Sequence, residues 1–130
     1  MILVDTSVWV AYFNGQSSAR TDALDDLLGV QEIIVGDLIM TEVLQGFRSD
    51  RHFRQVLRLL QSCPIVTMGG PQLAVRSAEQ YRALRRRGIT VRKTIDVIIG
   101  TYCIVNSIPL LHADRDFDPL ARHFGLVSVL

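Results

Sequence analysis

Cysteine is scarce: the chain has two in 130 residues, Cys63 and Cys103, both in apolar surroundings. That is too few for a disulfide framework, and the pair is too small and too widely separated for a zinc motif. Both read as free, buried thiols, the pattern of a reducing compartment, so a cytoplasmic protein is expected. No apolar run approaches the ~20 residues of a membrane-spanning helix, so no membrane partner is expected. The first residues meet an acid at Asp5 and carry no basic stretch, which argues against a secretory leader. Linkers, repeats and low-complexity segments are absent, and MGGP at 68–71 reads as a turn, so residues 1–130 are expected to form one domain. No glycine-rich loop follows the first apolar run, which removes the common nucleotide-binding folds. Lysine is nearly absent as well, since thirteen of the fourteen basic residues are arginine and Lys93 is the exception.

What the chain does have is apolar mass. A hydrophobic fraction of 48% and a mean hydropathy of +0.25 are ample for a packed core and exclude disorder. The net charge of +1 conceals an uneven distribution. Arg82, Arg85, Arg86, Arg87, Arg92 and Lys93 crowd into one segment, and Arg48, Arg51, Arg54 and Arg58 recur at mostly helical spacing. The acids instead recur at the ends of apolar runs.

Short apolar runs alternate with longer amphipathic stretches. Strands are predicted at Ile2–Val4, Ile33–Val35, Ile65–Thr67, Leu110–His112 and Val127–Val129, and helices over 7–13, 20–28, 38–47, 50–62, 72–87, 95–106 and 116–124. Pro71 and Pro119 suit first helical turns, and Gly29, Gly88 and Gly125 suit helix ends. Strands apolar on both faces, alternating with helices, predict a three-layer α/β/α sandwich around a mostly parallel sheet. In such sheets ligands bind beyond the carboxyl ends of the strands.

Four acids stand where a packed fold has least use for charge. Asp5 ends the run ILV and is followed by the hydroxyls of Thr6 and Ser7. Glu42, in GDLIMTEVLQGF, falls inside the apolar arc drawn by Leu38, Ile39, Met40, Val43, Leu44 and Phe47, where Asp37 reads as the N-cap. Pairing with an arginine is the bland explanation for Glu42. Asp96, in VRKTIDVIIGTYCIV, falls in the first turn of an almost wholly apolar helix with Thr94 as N-cap; the helix dipole alone favours an acid there. Gly100, one turn on, removes a side chain from the adjacent surface. In LLHADRDFDP, Asp114, Asp116 and Asp118 follow a strand; Asp118 fits an N-cap before Pro119, and Asp114 is the better functional candidate. An EF-hand is excluded, because its glycine and distal glutamate are missing.

Two unit charges ~4 Å apart repel by about 4 kcal/mol at an effective dielectric of ~20. Four converging carboxylates therefore require protons or cations, and an oxygen-only site without His or Cys favours Mg²⁺ or Mn²⁺ over zinc. Thr6 or Ser7 could add a neutral oxygen. His112 and His123 are weaker candidates for a catalytic base. Trp9, Tyr12 and Phe13 read as packing residues rather than base-stacking ones.

MILVDTSVW at the start, TE on an internal helix, ID before an apolar helix and HADRDFDPLA near the end occur in an order and spacing that resemble PIN domains. Length and motifs together resemble the VapC-type toxins of bacterial toxin–antitoxin pairs, and the resemblance spans essentially the whole chain. It implies a metal-dependent endoribonuclease with an acidic quartet at Asp5, Glu42, Asp96 and Asp114. Asp5, Asp96 and Asp114 would be metal ligands for Mg²⁺ or Mn²⁺, Glu42 a ligand or the residue orienting water, and Asp116, Asp118 and Ser7 auxiliaries. It further implies an RNA substrate, a cognate VapB-type antitoxin and a homodimer. Arg85, Arg86, Arg87, Arg92 and Lys93, just before Asp96, are candidates to hold RNA phosphates, though a merely solvated basic helix face is the competing explanation. Trp9, Tyr12, Phe13, Phe47 and Phe53 supply surplus apolar surface for a groove or dimer face. VIIGTYC after the third acid departs from the Ala-rich sequence usual in the family, which bears on substrate selection more than on chemistry.

Other classes fit less well. A haloacid-dehalogenase-like phosphatase needs a second acid two residues after the first, where this chain has Ser7. A response-regulator receiver needs a later lysine that Lys93 does not match. A catalytically inactive PIN-like RNA-binding or scaffold module is the remaining alternative, and an intact quartet argues against it.

Overall fold

Ile2, Leu3 and Val4 are buried on both sides, and the strand they form, β1 (Ile2–Val4), is the middle of the sheet. The computed structural model describes all 130 residues. After β1 come α1 (Thr6–Phe13), α2 (Ala19–Leu27), β2 (Ile33–Gly36), α3 (Asp37–Gln45), α4 (Asp50–Gln61) and β3 (Ile65–Val66). The second half runs α5 (Pro71–Arg86), α6 (Thr94–Asn106), β4 (Leu110–Leu111), a 3₁₀ turn (Arg115–Phe117), α7 (Asp118–Phe124) and β5 (Ser128–Val129). The five strands are all parallel, in the order β3-β2-β1-β4-β5.

Parallel crossovers are right-handed, so the direction of travel decides which face each helix covers. The chain steps from β1 to β3 one way and places α1–α4 on one face; it then returns past β1 to β4 and β5, placing α5–α7 on the other. Helix contacts divide accordingly: α1 packs on α2 and α3, α3 on α4, α5 on α6, and α6 on α7. The three-layer sandwich expected from the alternation is what forms, with a sheet that is wholly parallel. Its reversal of direction falls between β1 and β4, where a crevice opens beyond the strand ends. β1 pairs with β4 through Leu3–Leu110 and Val4–Leu111, and the Asp5 amide donates to the Leu111 carbonyl at 2.9 Å. Asp5 is thereby held beside the segment that leads to Asp114.

Several local expectations change. Asp37 is not the N-cap of α3: Gly36 is, and the Asp37 carboxylate accepts from the amides of Leu38 (2.9 Å) and Met68 (2.8 Å). It has a long-range partner that spacing cannot reveal. Thr94 begins α6, whose capping position belongs to Lys93. Asp118 is likewise the first residue of α7, because the helix predicted over 116–124 is split by the 3₁₀ turn, which Asp114 caps. Phe47 lies past the end of α3 and packs on Phe13, ring centroids 6.1 Å apart. Trp9 contributes nothing to an exposed face, since it is fully buried and stacks on Phe13 at 5.6 Å. Cys103 is buried as expected, while Cys63 is half-buried.

Gly100 brings α6 close to α7. A Cβ there would collide with the Cδ1 of Leu120, and the Phe117 ring lies 3.7 Å from the same point. Both neighbours are fully buried and have nowhere to move. Gly100 follows Asp96 by one helical turn, whereas Phe117 and Leu120 follow Asp114 and Asp116, so this close approach also sets the separation of the acids. Gly100→Val should lower unfolding free energy by about 1–3 kcal/mol, the usual cost of overpacking, as measured by urea denaturation. Unchanged stability would mean that α7 is free to shift outward.

Candidate metal centre

Three of the four acids owe their positions to helix starts. Asp5 caps α1: its Oδ2 accepts from the Ser7 amide at 3.0 Å and from the Ser7 hydroxyl at 2.6 Å. Asp96 stands in the first turn of α6. Asp114 caps the 3₁₀ turn, its Oδ1 accepting from the Asp116 amide at 2.9 Å. Each carboxylate faces the positive end of a backbone segment, which favours its ionised form. Glu42 comes from mid-α3, and its Oε1 accepts from the Thr6 hydroxyl at 2.7 Å. Its partner is thus a threonine in the same site and not an arginine.

These hydrogen bonds leave oxygens over. Asp5 and Asp96 are both 3% exposed, and Asp5 Oδ1, Asp96 Oδ2 and Asp116 Oδ2 are buried without a hydrogen-bond partner. Orphaned anionic oxygens at one rim are costly unless a cation meets them. Carboxylate oxygens of Asp96, Asp114 and Asp116 lie within 4.8 Å of one another. Asp5 stands outside that tightest group, although its charge acts on Asp96 and that of Asp114 acts on it. Asp116, expected only as an auxiliary, is therefore part of the cluster. Asp118 is not: it is exposed and lines a shallow polar cavity with Arg20, His112, Asp114 and Arg115.

Burial pushes the Asp5 carboxyl above its ordinary value, against the hydrogen bonds from Ser7 and Thr6, and Asp114 adds to the rise. Asp96 is pushed up to about 6, chiefly by burial; Lys93 opposes this, and Asp5, Asp114 and Glu42 reinforce it. Asp96 therefore feels the charge of the other three quartet acids. Oxygen-only donors, three of them buried without a hydrogen bond, suit a hard divalent cation.

Basic residues divide between the site and elsewhere. Lys93 Nζ lies 3.6 Å from Asp96 Oδ2 and 3.5 Å from Asp114 Oδ2, and Arg92 Nε lies 3.5 Å from Asp116 Oδ2 without hydrogen-bond alignment. Arg85, Arg86 and Arg87 are exposed and form no ion pair with the acids. Arg85 sits over the Tyr81 ring at 5.8 Å, and Arg86 lines a groove with Arg76, Glu79, Arg82 and Phe124.

Ser7 has a structural role alongside any polar one. Its hydroxyl donates to Asp5 and accepts from the Ala113 amide at 3.1 Å, latching the end of β1 to the segment after β4. Sequence reasoning missed Arg20, whose Nε donates to the His112 carbonyl at 2.7 Å across 92 positions of chain. No local signal marks such a contact. His112 is turned away as a base: Nε2 meets Ser128 Oγ at 2.9 Å, the ring packs on Phe117 at 4.9 Å, and burial lowers its pKa. His123 lies in the last turn of α7. Burial pushes the Cys103 thiol up to about 12, so it is inert.

Asp96 holds its proton more tightly folded than unfolded, about 6 against 3.8. Its contribution to stability is complete below pH ~4 and is lost as pH rises through ~6, about 3 kcal/mol in all. Burial of His112 gives the opposite slope, so the difference between wild type and Asp96→Asn isolates the acid. Denaturation of metal-free protein from pH 4 to 7 should show Asp96→Asn gaining on wild type as pH rises. Parallel profiles would mean that Asp96 ionises without hindrance.

Known proteins resemble this chain in sequence and in fold. Residues 2–123 match the family model of the PIN domain. The chain is 34% identical over 124 residues to a VapC ribonuclease of Mycobacterium bovis and to ribonuclease VapC11 of Mycobacterium tuberculosis, covering 94% of this chain and 92% of each relative. Among solved structures, VapBC2 of Rickettsia felis, bound to a DNA fragment from its promoter, superposes with a TM-score of 0.78 at 17% identity, over 99% of this chain and 98% of that one. The chain belongs to the PIN-domain family, alongside the VapC ribonucleases.

Proposed function

We propose that this protein is an endoribonuclease toxin of the VapC type that hydrolyses RNA phosphodiester bonds with Mg²⁺ or Mn²⁺, and that a cognate VapB-type antitoxin neutralises it. The observation carrying the chemistry is the set of buried oxygens of Asp5, Asp96 and Asp116 that accept no hydrogen bond, gathered with Asp114 at the crevice between β1 and β4. Asp96, Asp114 and Asp116 would hold the ion, with Asp5 completing its surroundings directly or through water. A bound divalent ion supplies a water of lowered pKa and stabilises charge at the phosphate and the leaving oxygen. Glu42, fixed by Thr6, orients the attacking water. Ser7 keeps Asp5 in register with Asp114. Arg92 and Lys93 stand at the rim, where a phosphodiester would approach; Arg85, Arg86 and Arg87 extend a basic surface for the rest of the RNA.

Binding partners follow from the same reading. The relatives of known structure include VapBC complexes, and a groove lined by Phe13, Phe47, His52, Val56 and Leu59 offers apolar cover for an antitoxin segment. A homodimer would account for Val75 and Val105, exposed beside a cavity between α5 and α6. No helix is long and apolar enough to cross a membrane. An inactive scaffold or RNA-binding module has no observation in its favour.

Purified protein should cut cellular RNA into discrete fragments with Mn²⁺ or Mg²⁺ and not with EDTA. Asp5→Asn, Asp96→Asn and Asp114→Asn should each lower the rate by about a hundredfold or more, as expected when several kcal/mol of transition-state stabilisation is removed. Thr6→Val should cost about 10–100-fold through Glu42, the usual effect of losing an orienting partner. Cleavage that survives EDTA and Asp5→Asn would refute the assignment.

A further inference from the structure

The only lysine of the chain stands at the acid cluster. Its backbone takes the capping position of α6, with φ −117° and ψ 122°, and its side chain turns back over the helix start. Nζ there bridges Asp96 Oδ2 and Asp114 Oδ2 at 3.6 and 3.5 Å. Arg92, its neighbour, reaches a single acid and is more exposed, at 78% against 53% for Lys93. We propose that Lys93 is a tethered counter-cation that occupies Asp96 and Asp114 in the metal-free protein and competes with the divalent ion for them.

Geometry makes the two cations exclusive. Mg²⁺ sits about 2.1 Å from its oxygens. An ion on the same two Oδ2 atoms would leave the ammonium within roughly 5 Å of a double positive charge, in a partly buried setting that screens poorly. Half-exposed and on a flexible stem, Lys93 can leave, so metal entry trades two ion pairs for metal–oxygen bonds. Without metal the lysine lessens the mutual repulsion of Asp5, Glu42, Asp96 and Asp114. With metal it must withdraw, and metal affinity is lower by what that withdrawal costs.

This inference rests on the metal-site reading above, and the two can fail separately. Mn²⁺ would be titrated calorimetrically into metal-free wild type, Lys93→Met, Lys93→Arg and Asp96→Asn, with the Mn²⁺-induced shift in melting temperature as a second readout. Two half-exposed ion pairs correspond to about tenfold in affinity. Lys93→Met should therefore bind Mn²⁺ about tenfold more tightly than wild type and show a larger melting shift, although its metal-free form melts lower. Lys93→Arg, which keeps the charge, should stay near wild type. If Lys93→Met binds Mn²⁺ no better, or less well, while Asp96→Asn loses binding, the competition is refuted and the metal site stands. If wild type binds no Mn²⁺, or Asp96→Asn binds it as wild type does, the metal site itself is refuted, and the role of Lys93 with it.

Discussion

Concentrated negative charge at the carboxyl ends of β1 and β4 is the constraint around which the rest of this structure is arranged. Buried carboxylates repel one another and lose hydration, and both effects work against a core of neutral side chains. The fold tolerates them by several local devices. The starts of α1, α6 and the 3₁₀ turn present backbone dipoles to Asp5, Asp96 and Asp114. Ser7 and Thr6 supply hydroxyl donors, and Lys93 and Arg92 supply charge. Asp5 Oδ1 is nevertheless left without a partner, and Asp96 Oδ2 and Asp116 Oδ2 meet only the long ion pairs of Lys93 and Arg92 and no hydrogen bond.

The scaffold serves to keep these groups close. β1 lies beside β4 because the chain reverses its direction across the sheet, and that adjacency joins residues more than a hundred positions apart. The Ser7–Ala113 hydrogen bond and the Arg20–His112 contact tie the joined ends. On the opposite face of the sheet, Gly100 lets α6 approach Phe117 and Leu120 and carries Asp96 toward Asp114 and Asp116. Rigid elements thus hold a group of like charges that free side chains would disperse.

Much of this was legible beforehand. Apolar runs marked all five strands, the 3.6-residue period marked the helices, and an acid at each suspicious place marked the quartet. Local spacing misled where a carboxylate had a distant partner. Asp37 reads as a cap but serves Met68, and Asp118, read as a cap because Pro119 follows it, is instead the first residue of a helix preceded by a 3₁₀ turn. Asp116 was undervalued, and Arg85–Arg87 were placed nearer the acids than they lie, for one reason. Distance along the chain says little about distance to a site assembled from four segments.

Residue order by itself determined which side chains are costly to bury and which segments are strands or helices, because these follow from solvation and backbone preference within a few residues. Only the tertiary structure decided which charges meet: Asp116 rather than Asp118 beside Asp96, Thr6 rather than an arginine on Glu42, and Lys93 between two acids. Coulombic interaction and hydrogen bonding fall away within a few ångströms, so such pairings depend on how elements pack.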